Sequence, residues 1–432
     1  MAGALVNALG AAAPTADAFS DRNTLRHMLR FEAALAKAVA EAGLIPAKHA
    51  ATIAAACDAS LYDPAPLAEA ARRTATLTVP VVKALTAEVA KRDKDAAEYV
   101  HWGATSQDVL DSAMVLQLGD ALPTLLKDLS VIVAAFAAHA EKHRATPMLG
   151  RTLLQPATPL ALGQKIAGWA SDLDRARMRL AESFHETQVV QFGGASGSLS
   201  ALGGKAEAVM TALARELQLP LPPAPWFTQR VRVAALAQDI ALVCGALGKA
   251  ARDISLMMQI EVGEASEPSG PGRGGSSTMP HKRNPVGAAL TLAAANRAPQ
   301  LAATIVSGMV QEHERALGGW QSEWPTIAAL CETLGSAVEA MKEVAPGLAI
   351  DTDAIQANMD ATEAAVFAER ATFLLAETMG KQKAHALVEK ALAKGGSFIE
   401  ALGQLEKELA DSGSLLGYSP KFVDRLLASL KR

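Results

Sequence analysis

The chain has 432 residues, enough for about three domains, and half of its residues are hydrophobic while only 4% are aromatic. Together with frequent alanine, this composition favours closely packed helices over a sheet of β-branched and aromatic residues. The net charge of −4 and the pI of about 6.2 argue against a nucleic-acid binder, which usually presents a basic face to the phosphates. No uncharged apolar run reaches the roughly 18 residues of a membrane span, and no basic signal-peptide region opens the chain, so we expect a cytoplasmic protein with no membrane partner.

The cysteines and histidines carry no disulfide or metal pattern. Cys57, Cys244 and Cys331 are far apart, which is typical of buried thiols in a reducing compartment. His139 and His143 stand four residues apart, but the charged residues between them favour a solvated helix end over a metal site. We therefore expect no bound metal.

The N-terminal part of the chain predicts a helical domain over residues 1–104. Apolar residues at helical spacing predict a helix from Thr24 to Ala42, and shorter helices follow that are interrupted by Pro64 and Pro80. A longer helix comes next, in which apolar residues recur every three or four positions and Pro123 is expected to produce a kink.

The stretch before that long helix places polar side chains around Gly103. Thr105, Ser106 and Asp108 are all suited to capping the start of the helix, and capping alone would explain them. The alternative is functional, because free N–H groups and hydroxyls at a helix N-terminus also bind carboxylates. The sequence leaves both interpretations open.

Further long helices are predicted from the same apolar period. Two lie around residues 162–173 and 233–247, and two more span residues 287–310 and 322–344. Polar connectors separate them, and the connector Gly150–Ala157 is expected to open the helix around 162–173. Residues 105–345 therefore predict a central helical bundle, and the shorter helices of residues 346–432 predict a C-terminal helical domain.

One polar loop, Glu264–Pro285, interrupts the central helices. Loops this long are usually lids or binding loops, although a surface linker is the simpler alternative. Its glycines satisfy the pattern G-x-G-x-x-G, but no strand precedes them, so we expect no dinucleotide cofactor. Ser276 and Ser277 have no adjacent histidine, which favours proton abstraction by a serine over acyl transfer, with Lys282 and Asn284 holding a substrate carboxylate.

These motifs resemble a known family. Gly275-Ser-Ser-Thr-Met-Pro-His-Lys-Arg-Asn-Pro285 is similar to the signature of the fumarase/aspartase superfamily, and Thr105–Asp108 and Gly150–Thr152 match its other two characteristic regions in the same order. The resemblance spans nearly the whole chain. It implies an all-α subunit of three helical domains with a central long five-helix bundle, and a homotetramer with a twenty-helix core and active sites shared between subunits.

The resemblance also assigns roles to individual residues. It implies that Ser277, the second serine of the loop, is the catalytic base, with His101 and Lys282 beside it in the catalytic set. It implies substrate-carboxylate binding by a larger group of side chains, namely Thr105, Ser106, Gln155, Gln238, Asn284 and Arg315.

Within the superfamily, the stretches His101–Asp108 and Gln311–Trp324 are most similar to those of its cycloisomerases. Many lyases of the superfamily carry a histidine after Gly-Arg-Thr, where it serves the leaving group, but this chain has Leu153. A carboxylate leaving group, with a pKa of about 4, needs no such acid. We therefore expect cofactor-independent lactonisation of a small tricarboxylate, in which one carboxylate adds across a double bond and Ser277 protonates the carbon alpha to another.

Two alternatives remain open. A lyase of the adenylosuccinate type, releasing fumarate, is favoured by His101 and His281 but opposed by Leu153. A non-catalytic helical scaffold is opposed by the intact loop, because its polar side chains have no evident packing role.

Overall fold

The computed structural model describes residues 13–270, 273–275, 279, 282–362, 365–393 and 415–430. Within these residues the chain forms sixteen α-helices, joined by short 3-10 segments and two small sheets. The helices are α1 (Ala13–Ala18), α2 (Asp21–Glu41), α3 (Ala47–Ala56), α4 (Pro64–Thr74), α5 (Thr78–Arg92), α6 (Lys94–Ala97), α7 (Ser106–Lys142), α8 (Leu162–Thr187), α9 (Ala206–Leu217), α10 (Val231–Met257), α11 (Val286–Ser307), α12 (Gly319–Gly347), α13 (Thr352–Asp360), α14 (Ala368–Met379), α15 (Lys381–Ala393) and α16 (Ser419–Ser429). The strands are β1 (Pro147–Thr152), β2 (Gln155–Ala161), β3 (Ala265–Ser266) and β4 (Ala349–Ile350).

The predicted helical class is confirmed, and local chemistry explains several helix ends. Helix α2 begins at Asp21 because the Ser20 side chain accepts the N–H of Asn23. Helix α4 begins at Pro64, where the fixed φ of proline suits the first turn, after a cap by Asp63. The proline that was expected to interrupt the helices therefore starts one.

The chain divides into two compact units. Unit 1 contains residues 1–127, 177–244 and 294–336, and unit 2 contains residues 128–176, 245–293 and 337–432. The boundaries fall within α7, α8, α10, α11 and α12. The division into three domains stays a prediction.

In unit 1, helix α2 supplies a large part of the core. It packs against α3 and α9, and its buried side includes Met28, Leu29, Phe31 and Leu35. The ring of Phe31 lies 6.5 Å from that of Phe192, so the core reaches the connector that follows α8.

In unit 2, the connector Gly150–Ala157 precedes α8, which begins at Leu162, but it forms strands that the sequence did not predict. It lies in an antiparallel hairpin of β1 and β2, whose two-residue turn is Leu153-Leu154. Both leucines have a left-handed φ, 53° and 65°, and they are 97% and 76% exposed. Two-residue turns of this kind usually carry Asn-Gly, which tolerates a left-handed φ. Here two leucines occupy these positions, so the sequence carried no turn signal.

Within the described part of the chain, α7 and α10 are long and apolar enough to cross a membrane by length and composition alone, a test that core helices of other proteins also pass. Helix α7 continues through Pro123. The kink there stays a prediction.

Candidate functional site

The start of α7 is fastened by a buried carboxylate. Asp108 is fully buried, and its Oδ2 accepts the N–H of Thr105 at 2.9 Å and that of Gly194 at 3.0 Å. Its Oδ1 accepts the N–H of Gly193 at 2.8 Å. Burial raises the pKa of the Asp108 carboxyl to about 7, while these three donors act in the opposite direction. The capping role is confirmed for Asp108. Thr105 and Ser106, just before it in the chain, are half-buried.

The loop after α8 requires glycine because Phe227 fills the space beside it. A Cβ atom on Gly193 would lie 2.8 Å from the ring of Phe227, which is 4% exposed. The carbonyl oxygen of Phe227 accepts the Nε2–H of Gln107 at 2.8 Å. Residue 227 therefore contacts the loop through its ring and the start of α7 through its carbonyl oxygen.

Arg315 lies over the same loop. Its Nη2 donates to the carbonyl oxygen of Ala195 at 3.1 Å, and its guanidinium lies 5.2 Å from the ring centroid of Phe227. A cation over an aromatic face is attracted to it. The side chain is thus engaged with protein groups here, and its role in substrate binding stays a prediction.

A buried charge cluster beneath the start of α7 escaped the sequence reasoning. Arg230 is 1% exposed and donates to Asp111 at 2.8 Å and to Glu323 at 2.5 and 3.0 Å. Asp111 also accepts the indole N–H of Trp320 at 3.0 Å and an N–H of Gln191 at 3.1 Å. The available signal was Asp111 itself, a second carboxylate one turn after Asp108 in the first turns of a long helix.

The remaining predicted residues of unit 1 lie in different settings. His101 has a left-handed φ of 60°, and its Nδ1 lies 2.6 Å from Oε1 of the buried Glu32. Gln238 is exposed on α10.

In unit 2, the Gly-Arg-Thr motif is held by an ion pair. Arg151 donates to both carboxylate oxygens of Glu264, at 2.9 and 2.6 Å, and Glu264 is fully buried. Asn358 donates to the same carboxylate at 2.9 Å. The arginine therefore fastens β1 to the first residue of the predicted active-site loop, while Gln155 is exposed at the start of β2.

The two ends of the loop are also fastened. Glu267 accepts the N–H groups of Gly287 and Ala288 at 2.8 and 2.7 Å, which caps α11. The N–H of Asn284 donates to the carbonyl oxygen of Gly274 at 2.9 Å, which brings the two sides of the loop together.

A pocket of about 210 Å³ lies beside these anchors. Its lining includes Ser266, Glu267, Arg273, Arg283 and Asn284. Arg273 forms ion pairs with Glu267 and Glu343. Lys282 is exposed in the same segment, whereas Ser277 lies outside the described residues.

The described residues contain no group of three or more His, Cys, Asp or Glu side chains that could hold a metal ion. Cys244 and Cys331 are buried thiols, as expected, and Cys57 is half-buried. The solvated interpretation was wrong for His143, which is 5% exposed and lies with its Nδ1 3.2 Å from Oγ1 of Thr146.

Comparison with known proteins identifies the family. The family model described as "Lyase" matches residues 8–299. The chain belongs to this lyase family. It is the fumarase/aspartase superfamily that the motifs resemble, so that prediction is confirmed.

Close relatives span nearly the whole chain. The 3-carboxy-cis,cis-muconate cycloisomerase of Bradyrhizobium diazoefficiens is 50% identical over 96% of this chain and 95% of its own length. The enzyme of the same name from Pseudomonas aeruginosa is 46% identical over 98% of this chain and 96% of its own length. The crystal structure of 3-carboxy-cis,cis-muconate lactonizing enzyme from Pseudomonas putida has a TM-score of 0.93 and 43% identity, covering 100% of this chain and 99% of that one.

Proposed function

We propose that this enzyme is a cycloisomerase that converts 3-carboxy-cis,cis-muconate to its carboxymuconolactone, in protocatechuate degradation by the β-ketoadipate pathway. The observation that carries the proposal is the 50% identity, over 96% of the chain, to a relative of that name. The likeness in fold to the lactonizing enzyme supports it as well. The same relatives favour this function over release of fumarate from adenylosuccinate.

The reaction we propose uses no cofactor. One carboxylate of the substrate adds across a double bond, and the hydroxyl of Ser277 gives a proton to the carbon alpha to another carboxylate. In the reverse direction Ser277 removes that proton, because the same group must act in both directions. The carbanion-like transition state places extra negative charge on a carboxylate, so fixed hydrogen-bond donors stabilise it.

We assign those donors to the predicted residues. Thr105 and Ser106 stand at the N-terminus of α7, where N–H groups and the helix dipole favour an anion. The buried Asp108 supports this role because it holds that terminus in place before substrate arrives. Lys282, two residues before Asn284 in the chain, supplies a positive charge.

The remaining assignments concern recognition of the other carboxylates. We assign these contacts to His101, Gln155, Gln238, Asn284 and Arg315. Gln155 and Gln238 are exposed in a single chain and so are free to meet a ligand.

Leu153 supports ring closure rather than elimination. An apolar side chain at this position supplies no acid to a leaving group, and it is almost fully exposed at the hairpin tip. A carboxylate with a pKa of about 4 departs without protonation. The leucine is therefore compatible with the proposed reaction and unfavourable for loss of an amine or hydroxide.

We further propose that the protein is a cytoplasmic homotetramer whose subunits each contain a five-helix bundle and share active sites. Only 39% of the most apolar window of α7 is buried in the single chain. Large apolar side chains are also exposed, among them Ile260, Val310 and Leu317 at 91%, 91% and 88%. Association of subunits would remove such side chains from water. Light scattering should give four times the chain mass of 44.9 kDa.

An absorbance assay with 3-carboxymuconate tests the function. Purified protein should deplete the muconate absorbance, and Ser277→Ala should lower kcat about 100-fold or more, as expected for loss of a general acid-base group. Ser276→Ala is the matched control and should retain activity. No depletion by wild type at millimolar substrate, or fumarate release from adenylosuccinate, would refute the proposal.

A further inference from the structure

Glu32 is a buried carboxylate with one partnered oxygen. It lies on α2 and is 1% exposed, and its Oε1 is 2.6 Å from Nδ1 of His101. Its Oε2 has no hydrogen-bond partner among the described residues. Burying a carboxylate is costly unless a cation and hydrogen bonds compensate for the lost water. His101 is therefore the group that compensates the Glu32 carboxylate for its lost contact with water.

The backbone holds His101 in an unusual conformation toward Glu32. Its φ of 60° lies in the left-handed region, which histidine tolerates better than most residues but which still carries strain. The segment continues through Gly103, at φ 77°, to Thr105 at the start of α7. A strained conformation persists only where surrounding contacts fix it, and the short bond to Glu32 is such a contact.

The outer edge of the imidazole remains free. The His101 side chain is 19% exposed, and its Nε2 makes no hydrogen bond within the described part of the chain. Nδ1 faces the interior, so Nε2 is the ring atom that a ligand can reach. Thr105 and Ser106 follow a few residues later and are half-buried.

The surrounding charges favour the imidazolium form. Burial by itself lowers the pKa of His101, but the charge and hydrogen bond of Glu32 and the charge of Asp108 outweigh it, and the net pKa is raised. Cys57, a further titratable group that the charge of Glu32 reaches, is a thiol whose pKa burial raises, so it remains neutral. A protonated His101 presents N–H donors at both nitrogens.

We propose that Glu32 is a positioning residue for the reaction, which holds His101 by Nδ1–H so that Nε2–H donates to a carboxylate of the substrate beside the start of α7. This inference rests on the proposed function and deepens it. Charge-assisted hydrogen bonds of this kind are shorter and stronger than neutral ones, so loss of the donor weakens substrate binding. The histidine then binds a carboxylate and is not the base, which leaves proton transfer to Ser277.

Glu32→Gln in the full-length protein tests the inference, with Asp120→Asn as matched control. Asp120 makes the equivalent bond to another buried histidine of unit 1, at 2.7 Å from Nε2 of His27. Glu32→Gln should raise KM for 3-carboxymuconate about tenfold or more while kcat changes less, because a charge-assisted bond is lost. Asp120→Asn should leave both constants unchanged.

A second measurement needs no turnover. NMR of protein with ¹³C-labelled histidine can follow the titration of His101, whose signal is assigned by its absence in His101→Gln. The pKa of His101 should lie above the ordinary value of 6.5 in wild type and below that value in Glu32→Gln. Adding citrate, a stable tricarboxylate, should shift this signal in wild type and much less in the variant.

The outcomes separate the two proposals. If wild type lacks cycloisomerase activity but His101 titrates and responds to citrate as stated, the proposed function fails and the carboxylate-binding pair stands. If His101 titrates below 6.5 in wild type, or if Glu32→Gln alters only the unfolding midpoint, the inference is overturned. The wild-type titration decides the matter even if the variant does not fold.

Discussion

Removal of the Arg230 guanidinium should destabilise the enzyme severely. In Arg230→Met, Asp111 and Glu323 lose their shared cation, although both are at most 1% exposed and cannot recruit water in its place. Nη1 donates to Asp111 at 2.8 Å, and Nη2 and Nε donate to Glu323 at 2.5 and 3.0 Å. Breaking one buried pair costs about 3–5 kcal/mol of unfolding free energy, and here two carboxylates are left unpaired, so we expect at least that loss.

Urea unfolding followed by far-UV circular dichroism measures the loss. Arg215→Met is the control, because Arg215 and Glu41 form an ion pair in which both side chains are 56% exposed and water replaces the lost contact. The combination of Arg230→Met with Asp111→Asn and Glu323→Gln should recover most of the stability, since the buried charges are removed together. If Arg230→Met unfolds at the urea concentration of the control, the buried-charge argument is wrong.

Three further predictions concern the Arg151–Glu264 ion pair, the hairpin turn and the buried His27. Arg151→Met deprives the buried Glu264 of its bidentate partner and should lower the unfolding free energy by about 3 kcal/mol. Arg151→Lys should recover only part of this loss, because lysine cannot bond both carboxylate oxygens in parallel. An Arg151→Met variant with wild-type stability in urea would contradict this prediction. Exchange of Leu153-Leu154 for Asn-Gly should raise the unfolding free energy by about 1–2 kcal/mol, because a left-handed φ is unfavourable for leucine. Calorimetry should therefore give a higher Tm for this variant. A lower Tm would instead mean that the leucines are covered in the assembled protein. Burial lowers the pKa of His27, so folding favours its neutral form and that contribution is lost as the pH falls below the ordinary value of 6.5. The stability difference between wild type and His27→Gln should therefore narrow between about pH 7.5 and about pH 5.5, and a widening difference would refute the assignment.

The hairpin shows where local patterns failed. Residues 150–157 contain no Asn-Gly turn, and the sequence predicted only a polar connector that leads to the helix around residues 162–173. The strands form because β1 and β2 pair with each other, and because Leu149 packs against Met359 and Val366, more than two hundred positions away in the chain. The residues within a window of about a dozen positions do not indicate which distant residues will pack against them.

The sequence by itself determined the helical class, the positions of the long helices and the family, because apolar periodicity and the motif of Gly275–Pro285 are properties of contiguous residues. Only the tertiary structure decided which polar side chains act together. Glu32 meets His101 across 69 positions, Asp108 meets Gly193 across 85, and Arg230 meets Asp111 across 119. Each of these pairs exists because burial removes water and leaves the two groups as each other's partners, which is a condition that the order of residues alone does not express.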